Sequence, residues 1–124
     1  MAMLASCMGR LQPIHNVTNH PIPSTAQSLS LEAIQLVIQQ AGINRGWVME
    51  PAGAGRIHGT LHYKTHVAEI DIVYDQRAYS IRYVSSSNLL SNGTDIHRNY
   101  NRWIAYLEKD IQSGLQTAAL GVRS

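Results

Sequence analysis

Histidines and carboxylates are the side chains of this sequence whose types could do chemistry, and two of the six histidines lie close together. His58 and His62 are four residues apart in a run of alternating polar and apolar residues, and Glu69 follows in the next run. These three side chains would be suitable ligands for a metal ion. Residues i and i+4 of a strand are about 13 Å apart, however, whereas zinc needs ligand bonds of about 2 Å. The spacing therefore predicts no metal site.

A hydrolytic site is the second chemistry that the residue types suggest, around His97 and the polar run Ser86–Asn88. Ser86 lacks the flanking glycines of a nucleophile elbow, and no pair of carboxylates has a recognisable catalytic spacing. Gly53 and Gly55 lie between two runs of strand-like sequence, whereas a phosphate-binding loop would directly precede a helix. We therefore predict a protein without catalytic residues and without a cofactor. An enzyme using His97 and Ser86–Asn88 is the alternative.

The other polar residues of these alternating runs fall on one face of the predicted sheet. The candidate residues on that face are His58, Thr60, His62, Glu69, Asp71 and Arg82, and Lys64 is predicted on the same face. The loop lengths predict three cross-strand pairs: His62 with Glu69, Thr60 with Asp71, and Asp71 with Arg82. Opposite charges facing each other across strands contribute only about 0.2–1 kcal/mol each, so stability gains little from them. We interpret the face as a candidate surface for a protein partner; the alternative is a solvated face without a further role.

Hydrophobic periodicity indicates the elements that must position these residues. Two amphipathic helices are predicted, over Ser28–Ala41 and from Ile96 to about Ser113, and we expect Gly42 to end the first and Gly114 the second. Four runs with period two lie between them: Arg45–Glu50, Arg56–Lys64, Val67–Asp75 and Tyr79–Ser85. Connections as short as those between the runs make antiparallel strands. The pattern predicts an α+β fold, a two-layer sandwich with both helices on one face of a four-stranded antiparallel meander (α-β-β-β-β-α).

Loop lengths also predict how the strands align. A turn at Thr65-His66 and two further loops give three registers: Ile72 with Ile81, Gly59 with Ile72, and Trp47 with Gly59. All three place apolar side chains on one face, and a slip by one residue would expose them. We expect Trp47 and Trp103 to be largely buried, with Trp47 lying over Gly59.

The single cysteine is the residue that suggests a location. Leu4-Ala5-Ser6-Cys7 resembles a lipobox, in which an aliphatic and two small residues precede a cysteine that becomes acylated. A charged stretch and about 7–15 apolar residues precede such a cleavage site, so we expect the natural start to lie upstream. Residues 1–7 are then the remnant of a lipoprotein signal peptide, Cys7 is the lipid attachment site, and the acyl chains anchor the protein in a membrane.

Composition changes after the cysteine and again near the end of the chain. Residues 8–27 contain three of the four prolines among polar residues, which predicts a flexible Pro-rich tether. Residues 28–114 form the predicted single α+β domain, and residues 115–124 a C-terminal tail. A formal net charge of +2 with scattered basic residues excludes the electrostatic footprint of a nucleic-acid-binding protein. One cysteine excludes an internal disulfide, and no run reaches the length of a membrane span.

Two motifs carry a resemblance to a known family. Arg45-Gly46-Trp47 and the element His97-x-x-Tyr100-Asn101-x-Trp103, with the strands between them, resemble small proteobacterial outer-membrane lipoproteins of uncharacterised function, over residues 30–112. The resemblance implies an envelope location and an α+β fold, with no known activity or catalytic residues. Met8 follows Cys7 where inner-membrane lipoproteins of such bacteria have an aspartate, which implies the outer membrane.

These observations lead to two main expectations about function, and a small-ligand binder between helix and sheet is a third possibility. The first is an uncharacterised envelope lipoprotein, lipid-anchored at the periplasmic face of the outer membrane, whose non-catalytic domain binds another envelope component. The second is a small periplasmic hydrolase or glycan-modifying enzyme that uses His97 and Ser86–Asn88.

Overall fold

The computed structural model describes residues 10–123 and has seven strands and two α-helices in this range. In chain order these are β1 Leu11–Pro13, β2 Val17–Pro21, α1 Leu31–Asn44, β3 Trp47–Pro51, β4 Arg56–Tyr63, β5 His66–Tyr74, β6 Ala78–Ser87, β7 Asp95–His97 and α2 Arg98–Arg123. A single 3₁₀ turn covers Ser24–Ala26. Five strands form an antiparallel sheet in the order β2-β6-β5-β4-β3, and β1 pairs with β7 in a separate two-stranded sheet. The α+β class expected from the sequence is confirmed.

The core lies between one face of the five-stranded sheet and the two helices. Alternate residues of β4 and β5, such as Ile57, Ile70 and Ile72, are completely buried on this inner face. Met49 of β3 lies against Gly42 of α1, whose close approach leaves no room for a Cβ. On the same inner face, but in β6, the Tyr79 hydroxyl donates a hydrogen bond to the Glu108 carbonyl of α2 at 3.3 Å. Both helices therefore cover the same face.

The first helix begins and ends for identifiable reasons. The Ser30 hydroxyl accepts a hydrogen bond from the Ala33 amide at 3.1 Å and so caps the first turn. Gly42, expected to end the helix, lies inside it, and the helix continues to Asn44. The chain turns instead at Gly46, whose φ of +90° suits a residue without a Cβ.

One predicted register is confirmed and two are wrong by two residues. Ile72 pairs with Ile81 as expected. Gly59, however, pairs with Ile70 rather than Ile72, because the β4–β5 turn falls at Lys64-Thr65, where Lys64 adopts a φ of +56°. In the separate pairing of β3 with β4, Met49 rather than Trp47 lies opposite Gly59. A shift of two residues keeps every side chain on its face, so the division into an inner and an outer face is the predicted one.

The segment expected to be a flexible tether is part of the fold. β2 pairs antiparallel with β6, which makes the sheet five-stranded instead of the predicted four-stranded meander. Val17 and Ile22 are buried in the core, and His20 Nδ1 lies 2.5 Å from Glu108 Oε2 of α2. Pro21 is compatible with this arrangement because it ends a strand at the sheet edge, where no ladder partner is needed on one side. Residues 1–9, with the predicted signal remnant, lie outside the described residues.

The second helix differs from its predicted bounds at both ends. Residues 95–97 form β7 instead of a first helical turn, and α2 runs through the expected tail as far as Arg123. Its apolar stripe continues into that region, since Leu115 and Ala119 are buried. Gly114 does not end the helix, because it supports a close helix–helix contact in which an added Cβ would lie 2.9 Å from Val37. The folded unit thus extends on both sides of the predicted 28–114.

The two tryptophans have different environments. Trp47 is 3% exposed, as expected for a core residue, but it faces Leu61 across the strands rather than Gly59. Trp103 is only partly buried, and its ring packs edge-on against Tyr63 with centroids 5.9 Å apart. Trp103 is therefore less completely buried than Trp47, although it packs against the core.

Candidate functional site

The outer face of the five-stranded sheet carries the polar residues predicted from the sequence. Neither helix covers this face. Four of its side chains are successive cross-strand partners on β3, β4, β5 and β6: Glu50, His58, Asp71 and Arg82. They form a single row across the sheet in which carboxylates alternate with basic groups. A parallel row contains Val48, Thr60, Glu69 and Ser85.

His58 links the two rows, because both of its ring nitrogens face carboxylates. Its Nδ1 lies 2.9 Å from Asp71 Oδ1 and its Nε2 lies 3.1 Å from Glu69 Oε1. An imidazole can donate from both nitrogens only when it is protonated. The hydrogen bond to Asp71, followed by that to Glu69, accordingly raises the pKa of His58 above its ordinary value, against the opposing effect of burial. This trio is hereafter called the His58 clamp.

A β-bulge brings a further residue to the clamp. The pairing between β5 and β6 shifts between Glu69 and Ile70, so that Val84 is left without a partner and Ser85 lies opposite Glu69. The Ser85 hydroxyl donates a hydrogen bond to Glu69 Oε2 at 2.6 Å. This bond is the largest cause of the lowered pKa of Glu69, and the bond from His58 is the second largest. Both carboxylate oxygens of Glu69 are therefore engaged, while Val84 projects outward and is 45% exposed.

Of the three predicted cross-strand pairs, one is confirmed. Asp71 lies opposite Arg82, as expected. Thr60 pairs with Glu69 instead of Asp71, and His62 pairs with Val67 instead of Glu69, because of the two-residue shift between β4 and β5. His62 therefore lies at the exposed end of β4, apart from the clamp. Of the candidate residues, His58, Glu69 and Asp71 are brought into direct contact.

The clamp is not arranged as a metal site. The structure has no group of three or more His, Cys, Asp or Glu side chains in metal-binding geometry between residues 10 and 123. In the clamp itself both imidazole nitrogens are hydrogen-bonded to carboxylates, whereas a metal-binding histidine needs a free nitrogen lone pair. The arrangement is suited to holding charge on a surface.

The alternative site around His97 has a different geometry from a catalytic dyad. The Ser86 hydroxyl lies 2.7 Å from the Tyr83 hydroxyl, and His97 Nδ1 accepts a hydrogen bond from the Asn99 amide at 3.1 Å. Asn88 is held through its carbonyl, which lies 2.6 Å from His66 Nδ1. Burial, followed by the neighbouring Arg98 and other basic groups, lowers the pKa of His97. Ser86 and His97 thus have separate partners.

Three further findings bear on location and relationship. Cys7, the predicted lipid attachment site, lies outside the described residues. None of the helices within residues 10–123 is long and apolar enough to cross a membrane. No protein-family model, curated protein or solved structure matches this chain.

Proposed function

We propose that this protein is a non-catalytic, lipid-anchored domain of the bacterial cell envelope that binds a protein partner through the outer face of its sheet. The observation that carries the proposal is the charged row from Glu50 to Arg82, on a face that neither helix covers. Asp71 and Glu69 are preorganised by His58, so a partner's basic groups would meet carboxylates that already have fixed positions, while an acidic group of the partner would face Arg82 in the same row. The anchor at Cys7 and the periplasmic face of the outer membrane belong to the same proposal, on the strength of Leu4-Ala5-Ser6-Cys7.

The exposed apolar side chains of the same face support binding to a protein. Val48 is 54% exposed on the edge strand β3, and Val84 is exposed at the bulge of β6. They lie on either side of the clamp, in β3 and β6. Protein interfaces commonly combine apolar contact with polar groups that give specificity. A surface that only kept the fold soluble would not require the fixed hydrogen bonds of the clamp.

The test is a capture experiment with the full-length, acylated protein, followed by reconstitution with each purified candidate. Arg82→Glu reverses one charge of the row on an exposed residue, and we expect it to weaken the complex by at least about tenfold, as loss of a positioned interfacial charge does. Lys109→Glu makes the same charge change on exposed α2, behind the sheet, and serves as the matched control. A partner that binds Arg82→Glu as tightly as the wild type would contradict the proposal.

A further inference from the structure

A cluster of basic residues lies at the end of the molecule where the described chain begins. Arg98 and Arg102 are one helical turn apart at the start of α2, and the Arg98 amide donates a hydrogen bond to the Arg10 carbonyl at 2.8 Å. All three arginine side chains are exposed. None of them forms an ion pair with any residue between 10 and 123. Their combined field, with that of His66, contributes to the lowered pKa of His97.

Apolar side chains border this cluster. Tyr63 is 49% exposed at the end of β4, and its ring contacts both Trp103 and Lys64, whose Nζ lies 5.4 Å from the ring centre. Leu90 is 56% exposed in the loop before β7. Large apolar side chains beside unpaired cations are unusual for a surface whose only role is solubility.

His66 connects the two groups into one surface. Its ring lies 6.4 Å from that of Trp103, and its Nδ1 lies 2.6 Å from the Asn88 carbonyl, which holds the loop that carries Leu90. The adjacent Leu89 carbonyl accepts a hydrogen bond from the amide of His97. The cations and the apolar side chains therefore belong to one end of the molecule, called here the basic–aromatic end.

We propose that the basic–aromatic end is a membrane-contact surface that binds anionic phospholipids. Arginine and lysine near a bilayer are attracted to anionic headgroups, and tryptophan and tyrosine favour the interface between headgroups and hydrocarbon. A nucleic acid would use the same cations but gains nothing from an exposed leucine. The position also fits the proposed anchor, since the three residue steps from Arg10 to Cys7 span at most about 10 Å.

The proposal concerns a different surface from the sheet face, and it is tested without the anchor. The probe is Cys7→Ser in the full chain, sedimented with vesicles of phosphatidylethanolamine and phosphatidylglycerol or with phosphatidylcholine vesicles. We expect binding to the anionic vesicles only, decreasing as salt is added. Trp103 fluorescence should shift to shorter wavelength on binding, whereas the same experiment with Trp103→Phe should show no shift, because Trp47 is already buried.

Charge neutralisation identifies the surface. Arg98→Gln with Arg102→Gln should lower the vesicle partition constant about thirtyfold, since each lost contact is worth about 1 kcal/mol. These side chains make no ion pair within residues 10–123, so the variant should fold, which circular dichroism verifies. Arg56→Gln with Arg77→Gln removes the same charge at the opposite end of the sheet, about 24 Å away along β4. This control should bind within about twofold of Cys7→Ser, because that distance exceeds the screening length.

Three results would overturn the proposal. The first is that Cys7→Ser fails to bind the anionic vesicles, and the second is that both double variants lose affinity equally. The third is binding to a single-stranded oligonucleotide without binding to vesicles, which would assign the cations to nucleic acid. None of these results depends on whether a partner binds the sheet face, so failure of one proposal is distinguishable from failure of the other.

Discussion

His58 is the residue whose ionisation most directly reports on the candidate surface. Its ring is held between Asp71 and Glu69, and the hydrogen bond to Asp71 is the main cause of its raised pKa. Asp71→Asn removes that charge while retaining an oxygen acceptor, so the pKa of His58 should fall toward its ordinary value. An NMR titration of the imidazole protons measures the change. Glu50→Gln, which alters a neighbour in the row, is the control; equal shifts in both variants would contradict the clamp geometry.

Two buried tyrosines predict opposite effects of the same substitution. The Tyr79 hydroxyl has a hydrogen-bond acceptor on α2, whereas the Tyr100 hydroxyl is buried without any partner among the described residues. Tyr79→Phe should therefore lower the free energy of unfolding by about 1 kcal/mol, and Tyr100→Phe should raise it by a similar amount. Urea denaturation of the two variants provides the comparison. A loss of stability in Tyr100→Phe would show that its hydroxyl is satisfied, for example by a bound water.

The C-terminal half of α2 is the element that the sequence interpretation misjudged most clearly. Leu115 is completely buried, although the predicted tail would have left it in solvent. Leu115→Ala should cost about 2–5 kcal/mol, as for other fully buried leucines. Leu120 lies on the same stretch of helix and is 66% exposed, so Leu120→Ala should change stability by less than about 0.5 kcal/mol. Equal effects of the two variants in denaturant melts would place this part of the helix away from the core.

Elements were predictable from the sequence to the extent that local patterns determine them. Alternation within β4 and β5 fixed which side chains face outward, because the period of a strand is two. It did not fix the register, since a slip of two residues exposes nothing apolar. The clamp was therefore not predictable, because contact between His58 and Glu69 requires the observed register. Ser85 joins it through a bulge, for which the run Ser85–Ser87 gives no signal.

Proline-rich and glycine-containing segments were misinterpreted for a related reason. Composition made residues 8–27 resemble a tether, yet an edge strand such as β2 tolerates proline and exposes much of its length to solvent. Gly114 suggested a helix end, but in α2 it allows a close approach to Val37. In both cases tertiary packing decided the outcome, and local sequence does not encode which partner a segment packs against.

At the scale of the whole molecule, the two proposed surfaces are compatible with each other. The basic–aromatic end includes the β4–β5 turn and the start of α2, whereas the charged row crosses the middle of the sheet's outer face. A domain resting on a membrane by that end would leave the outer face accessible from the side. Membrane contact and partner binding could then occur together, and neither would require the core to change.

Carboxylates in separate elements determine how stability changes at acid pH. Backbone amides of the β5–β6 turn lower the pKa of Asp75, and the Arg45 guanidinium lowers that of Asp110. Ser85 does the same for Glu69. A carboxylate with a lowered pKa stabilises the fold above its unfolded-state pKa, and this contribution is lost as the pH falls through the folded-state value. Stability should therefore decline on acidification, and less so in Asp75→Asn.

The contribution of His58 to stability has the opposite dependence on pH. Because its pKa is raised in the folded state, its contribution is complete below the ordinary value of 6.5 and is lost as the pH rises through the folded-state pKa. His97 contributes in the other direction, because its pKa is lowered and stability is lost as the pH falls below its ordinary value of 6.5. The contribution of His58 is therefore measured as the difference between the wild type and Asp71→Asn. Urea titrations across the pH range measure the profile. Asp71→Asn should lose less stability than the wild type as the pH rises above 6.5, and it should leave the contributions of Asp75 and Asp110 at acid pH in place. Identical profiles of the two proteins above pH 6.5 would contradict the prediction.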